Sequence, residues 1–204
     1  VFGNRRVDLL FVGDSITHFM EETQFYHKFG FVVNRGIGGD NTDGVRSRFA
    51  ADVLQLTPRL CIMQIGANDL WDAIEDAPGT KIEYPEEIQQ RYIAKVVDAH
   101  RDFQRQAQSA GIPMWIGSLL PQGRRMPNYP PRNRMILRIN SALKLLSEEF
   151  NTQYLDYHSM LKDTDGLTVL PGVSREGIHP NHAGYERMRQ VLEPRLMEFL
   201  GLWS

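Results

Sequence analysis

Gly13-Asp14-Ser15 follows an apolar run near the start of the chain, and Glu176-Gly177-Ile178-His179 lies near its end. A serine hydroxyl is a weak nucleophile until a neighbouring base takes its proton, and a histidine oriented by a carboxylate can be that base. Ser15 stands where the run Val7 to Val12 gives way to a helical pattern. Backbone N–H groups at such a helix start face any negative charge that develops beside the serine oxygen, and the helix dipole has the favourable sign there. In the later segment Glu176 stands three residues before His179 in a turn that contains Gly177. It can bend back to accept the imidazole Nδ1–H, which leaves Nε2 free for the serine proton. Each segment also has a plainer reading. Asp14 or Ser15 can simply cap a helix, and His179 can decorate a helix entrance capped by Asn181.

Two further segments supply hydrogen-bond donors. Gly36-Ile37-Gly38-Gly39-Asp40-Asn41 is a glycine-rich turn after the second apolar run, and the Gly39 N–H can approach a ligand with no side chain in the way. It is not a dinucleotide fingerprint, because Asn41 occupies the position of the last glycine, and no P-loop lysine follows. Gly66-Ala67-Asn68-Asp69 ends the third run, where the Asn68 amide can present an N–H to an oxyanion. Taken singly, both are ordinary turns with Asx hydrogen bonding. Taken together, the segments deliver Ser, Gly and Asn to one sheet edge and a Glu–His pair to meet them, as an acyl-transfer site requires. His179 and His182 have metal-ligand spacing but no evident third ligand, so no metal and no cofactor is expected. His18, His27, His100 and His158 are given no role.

These residues need a scaffold that brings distant segments to one edge. Short apolar runs at Val7 to Val12, Phe31 to Asn34, Leu60 to Ile65, Met114 to Ser118 and Gln153 to Asp156 alternate with segments of helical period. That alternation predicts an α/β fold, a three-layer α/β/α sandwich around a five-stranded parallel sheet. The spacing predicts long helices over Glu86 to Ala110, Asn133 to Phe150 and His182 to Leu200, with Pro194 as a kink point in the last. Shorter helices are expected over Ile16 to Phe29 and Thr42 to Leu54. Leu70 to Tyr84 and Pro121 to Pro131 read as irregular loops, both on the carboxyl side of the sheet where ligands of open α/β sheets sit.

Gly13-Asp14-Ser15, Gly39, Gly66-x-Asn68-Asp69 and Glu176-x-x-His179-Pro180 resemble, in order and spacing, the four blocks of the SGNH hydrolases, the GDSL esterases and lipases. The resemblance covers most of the chain and implies a single flavodoxin-like domain over residues 1–204. It implies Ser15 as nucleophile, His179 as base, and the Ser15 N–H, Gly39 N–H and Asn68 side chain as an oxyanion hole. The family usually carries Asp where this chain has Glu176. Glutamate serves in Ser-His-Glu triads on other folds, so Glu176 is the expected third member and Asp156 is the alternative.

The sequence has 204 residues, 42% apolar and 24% charged, with a formal net charge of -2. No basic run exceeds two adjacent residues, which removes a nucleic-acid footprint. No apolar stretch approaches the roughly 20 residues of a membrane span. The lone Cys61 sits in an apolar run and excludes an internal disulfide. A chain starting at Val1 is compatible with a removed leader, and one thiol suits a reducing compartment without forbidding export, so no compartment is assigned. Self-association is left open. The expected substrate is a short-chain acyl ester, such as an acetyl ester, of a carbohydrate or other small polar alcohol. Asp14, Asp69, Trp71 and Tyr129 are assigned to substrate binding. Lysophospholipid or acyl-thioester hydrolysis is the enzymatic alternative. A catalytically silent carbohydrate- or nucleotide-binding module is the alternative of another class.

Overall fold

Alternate residues of the apolar strands turn to opposite sides, and both sides are buried. The computed structural model describes residues 6–76, 79 and 83–202. Strands β1 (Leu9–Gly13), β2 (Val32–Gly36), β3 (Leu60–Gln64), β4 (Met114–Gly117) and β5 (Tyr154–Leu155) form one sheet in the order β2-β1-β3-β4-β5. Every neighbouring pair is parallel. This is the doubly wound, flavodoxin-like order, with the switch point between β1 and β3.

The helices cover the sheet in two layers. Leu9 and Phe11 of β1, Leu60 and Ile62 of β3 and Trp115 of β4 pack with Ile16 and Met20 of α1 (Ser15–Met20), Leu161 of α6 (Tyr157–Leu161), and Tyr185, Met188, Leu192 and Leu196 of α7 (His182–Leu200). Leu10, Val12, Cys61, Met63 and Met114 face the other way. They meet Val45 and Phe49 of α2 (Thr42–Phe49) and Phe103 and Ala107 of α4 (Glu86–Ser109). Ile116 completes that layer with Leu70 of α3 (Asp69–Asp76), Tyr92 and Val96 of α4, and Ile136 and Leu143 of α5 (Tyr129–Glu149). A strand buried on both faces must be apolar throughout, which is why periodicity alone marks β1 and β3 so clearly.

Several boundaries depart from the sequence expectation. The stretch from Leu70 begins as helix α3, because Leu70 and Ala73, one turn apart, are fully buried. Positions 77–78 and 80–82 of that stretch lie outside the described residues. Helix α5 starts at Tyr129, four residues before Asn133, with Pro130 and Pro131 in its first turn. Proline is tolerated there because the first helical N–H groups have no intrahelical acceptor. The helix expected over Ile16 to Phe29 stops at Met20 and continues as 3₁₀ turns at Glu21–Thr23 and His27–Phe29, separated by Gln24 at φ 54°. Helix α2 runs into a π-helical turn at Ala50–Leu54. Helix α7 continues through Pro194 to Leu200.

Candidate active site

The carboxyl ends of β1, β2 and β3 and the turn before α7 meet at one edge. Asp14 leaves β1 in an extended conformation and caps α1 by accepting from the Ile16 N–H at 2.9 Å, which places Ser15 at the first helical position. Ser15 Oγ lies 2.8 Å from His179 Nε2. On the other side of the ring, Nδ1 is hydrogen-bonded to Glu176 Oε1. That carboxylate can fold back because Gly177 adopts φ 105°, a left-handed conformation that favours glycine.

Several contacts hold the imidazole where Ser15 can reach it. Arg175 N–H donates to the His179 carbonyl at 2.8 Å, and the Gly123 N–H to the Gly177 carbonyl at 2.7 Å. Phe19 packs edge-on against the His179 ring with centroids 5.2 Å apart. The buried Tyr185 hydroxyl donates to the Ile16 carbonyl at 2.8 Å, pinning α7, which follows the histidine, to α1, which carries the serine. The alternative carboxylate, Asp156, instead caps α6 and accepts from Ser159 N–H at 3.0 Å and Ser159 Oγ at 2.7 Å.

Beside the serine, Gly39 adopts φ 79° with no heavy atom near the position a Cβ would take. Conformation, not crowding, is what requires glycine there. Neither the Ser15 N–H nor the Gly39 N–H has a protein acceptor among the described residues. Asn68 Nδ2 donates to the Asp40 carbonyl at 2.7 Å. That bond fixes the amide plane and leaves the second N–H to point elsewhere. The Ser15 N–H, the Gly39 N–H and the second Asn68 N–H thus lie in the segments that follow the neighbouring strands β1, β2 and β3.

Two of the residues expected to bind substrate are buried and bonded within the scaffold. Asp69 is fully buried. It accepts from Thr42 N–H at 3.0 Å and Thr42 Oγ1 at 2.6 Å, and it pairs with Lys95 at 3.2 Å. This joins the end of the third strand segment to the start of α2. Asp14 is likewise buried and is engaged by its own helix. Trp71 and Tyr129 stay half-exposed. Neither has a hydrogen bond or ring contact to Ser15 or His179 among the described residues. The guanidinium of Arg132 lies 3.6 Å from the Trp71 ring centre. Arg132 is fully buried and donates to Gln122 Oε1 at 2.6 Å. Arg132, Phe19 and Lys95 stand in no motif, and the sequence carries no signal of their contacts. His182 packs its ring on Phe25 with centroids 5.2 Å apart.

Burial pushes the Asp14 carboxyl up to about 7. The Ile16 N–H opposes the shift, and the charges of Asp40 and Asp69 add to it. A group that binds its proton more tightly when folded stabilises the fold fully at low pH, and that contribution is lost as pH rises from 3.8 to about 7. Asp14→Asn keeps a capping oxygen and removes the titration. Urea unfolding should show the variant gaining roughly 2–3 kcal/mol on the wild type between pH 5 and pH 8. A difference that does not change with pH would exclude Asp14 as the titrating group.

The GDSL-like lipase/acylhydrolase family model matches residues 11–187. Platelet-activating factor acetylhydrolase IB subunit alpha2 of Homo sapiens is 25% identical over 202 residues, 97% of this chain and 79% of that protein. A GDSL-like lipase from Bacteroides thetaiotaomicron superposes with a TM-score of 0.77 at 20% identity, covering 94% of this chain and 88% of that one. An acetylxylan esterase from Geobacillus stearothermophilus has a TM-score of 0.69 at 19% identity, over 96% and 94% of the two chains. The sheet order and the match over most of the chain make this protein an ester-hydrolysing enzyme and a member of the GDSL-like lipase/acylhydrolase family.

Proposed function

We propose that the enzyme hydrolyses short-chain acyl esters, acetyl esters above all, of a carbohydrate or another small polar alcohol, with Ser15, His179 and Glu176 as its triad. The observation that carries the mechanism is the continuous hydrogen-bonded series from Ser15 Oγ through His179 to Glu176. Ser15 Oγ attacks the ester carbonyl carbon while His179 Nε2 takes its proton. The carbonyl oxygen becomes an oxyanion held by the Ser15 N–H, the Gly39 N–H and the Asn68 amide. Collapse of that intermediate expels the alcohol, which leaves with the proton from His179. Water then attacks the acyl-enzyme with the same histidine as base, releasing the carboxylic acid and restoring Ser15.

Two observations support the substrate class. Trp71 lies three residues beyond Asn68, and its ring is backed by Arg132, so it presents a fixed aromatic face beside polar groups. Such a surface suits the C–H face of a sugar ring. A platelet-activating factor acetylhydrolase and an acetylxylan esterase, both acetyl-ester hydrolases, are among its relatives. The test is a series of p-nitrophenyl esters from acetate to palmitate. Acetate is expected to win, with kcat/KM falling about tenfold or more by butyrate, because a small acyl pocket rejects added methylenes. A maximum at octanoate or longer would move the substrate to lipids. Faster turnover of an acyl thioester would make the enzyme a thioesterase.

A further inference from the structure

One side chain outside the triad and its donors bonds the segments that carry Ser15 and Gly39, and meets the Asn68 amide through Asp40. Arg48 stands in the last turn of α2 with its side chain only 15% exposed. Nη2 donates to the Gly13 carbonyl at 3.2 Å, at the end of β1 two residues before Ser15. Nη1 donates to the Arg35 carbonyl at 2.9 Å, near the end of β2, and to Asp52 at 2.7 Å. Nε donates to the Asp40 carboxylate at 2.9 Å, and Nη2 lies 2.8 Å from the same carboxylate. Asp40 follows Gly39 directly, and its carbonyl is the acceptor that orients Asn68. We propose that Arg48 is a positioning residue that sets the oxyanion hole, bracing the Ser15 and Gly39 segments against each other, holding the Asp40 turn that orients Asn68, and neutralising the Asp40 charge.

The clamp has a geometric and an electrostatic part. The planar guanidinium offers donors in fixed directions, so several acceptors are held at set separations, which a lysine ammonium cannot reproduce. Donors pre-aimed at a developing charge lose much of their effect when displaced by a fraction of an ångström. The Asp40 carboxylate is a negative charge one residue from a hole that must stabilise another. Its field already reaches the first block, where it helps raise the Asp14 carboxyl. Without Arg48, that charge would oppose the oxyanion.

The inference rests on the triad and hole proposed above, and its test separates the two. Arg48→Lys, Arg48→Met and the double variant Arg48→Met/Asp40→Asn are assayed with p-nitrophenyl acetate and with a trifluoromethyl ketone that forms a tetrahedral adduct on serine. We expect kcat to fall about 10-fold in Arg48→Lys and about 100-fold in Arg48→Met, with KM within about threefold of wild type. The inhibition constant of the ketone should rise in step with the loss of kcat/KM, and the double variant should recover about fivefold or more of the lost kcat. A purely structural role would lower the melting temperature without this link between kcat and ketone affinity. If Arg48→Met does not fold, Arg48→Lys carries the test below its melting temperature. Folded variants with kcat within about threefold of wild type, or a loss confined to KM, would overturn the role of Arg48. A wild type that cleaves no ester and takes no phosphonate label at Ser15 would instead overturn the triad itself.

Discussion

Ser15→Ala is expected to lower kcat on p-nitrophenyl acetate by about 10⁴- to 10⁶-fold and to abolish labelling by a serine-reactive phosphonate, while the melting temperature stays near that of the wild type. The size of the effect follows from the two-step route. Without Oγ no acyl-enzyme forms, and only the hole and substrate binding remain to act on a water molecule, which in triad enzymes leaves a small residual acceleration. Retention of the fold follows from where Ser15 sits. Alanine is well tolerated at the first helical position, and the cap that starts α1 comes from Asp14, not Ser15. Full activity in Ser15→Ala would remove the serine mechanism, whatever the family. Loss of activity with labelling intact would place the reactive serine elsewhere.

Glu176→Gln is expected to lower kcat by about 10³- to 10⁴-fold with little change in KM, because a glutamine can stay in place yet hold the imidazole in the wrong tautomer and cannot stabilise its cation. Asp156→Asn, made alongside, should leave kcat within about threefold of wild type, since that carboxylate caps α6 through Ser159 and does not reach His179. The pair decides between the two carboxylates. A large loss in Asp156→Asn with a small one in Glu176→Gln would reverse the assignment. The longer glutamate is accommodated by the turn itself. Gly177 at φ 105° opens the loop, and the Glu176 carboxylate also lies 3.3 Å from the His179 N–H, so the side chain curls over one turn of backbone to meet the ring.

Much of the molecule was legible before folding was considered. Strands β1 and β3 are continuous apolar runs because both of their faces are covered, and α4 and the body of α5 show a helical period because only one of theirs is. Those features depend on burial along one segment, so a local pattern records them. The start of α5 at Tyr129 and the helical form of α3 were missed for the opposite reason. Prolines at a helix start read as loop, and an eight-residue helix is too short to display a period. The edge strand β5 has only two residues, too few to display an alternation.

Alternating apolar runs and helical periods are enough to give the α/β fold class, and Ser15, Gly39, Asn68, Glu176 and His179 stand in motifs whose spacing suits the proposed chemistry. What each polar side chain is bonded to follows from the folded arrangement. Glu176, not Asp156, meets the imidazole, and Asp14 and Asp69 are buried and bonded within the scaffold. Arg48 binds the ends of β1 and β2 and the turn that orients Asn68. Hydrogen bonds are short and directional, so a polar residue's role is set by the groups that folding brings within about 3 Å of it. In this protein those groups come from segments far apart in the chain, 164 positions apart for Ser15 and His179.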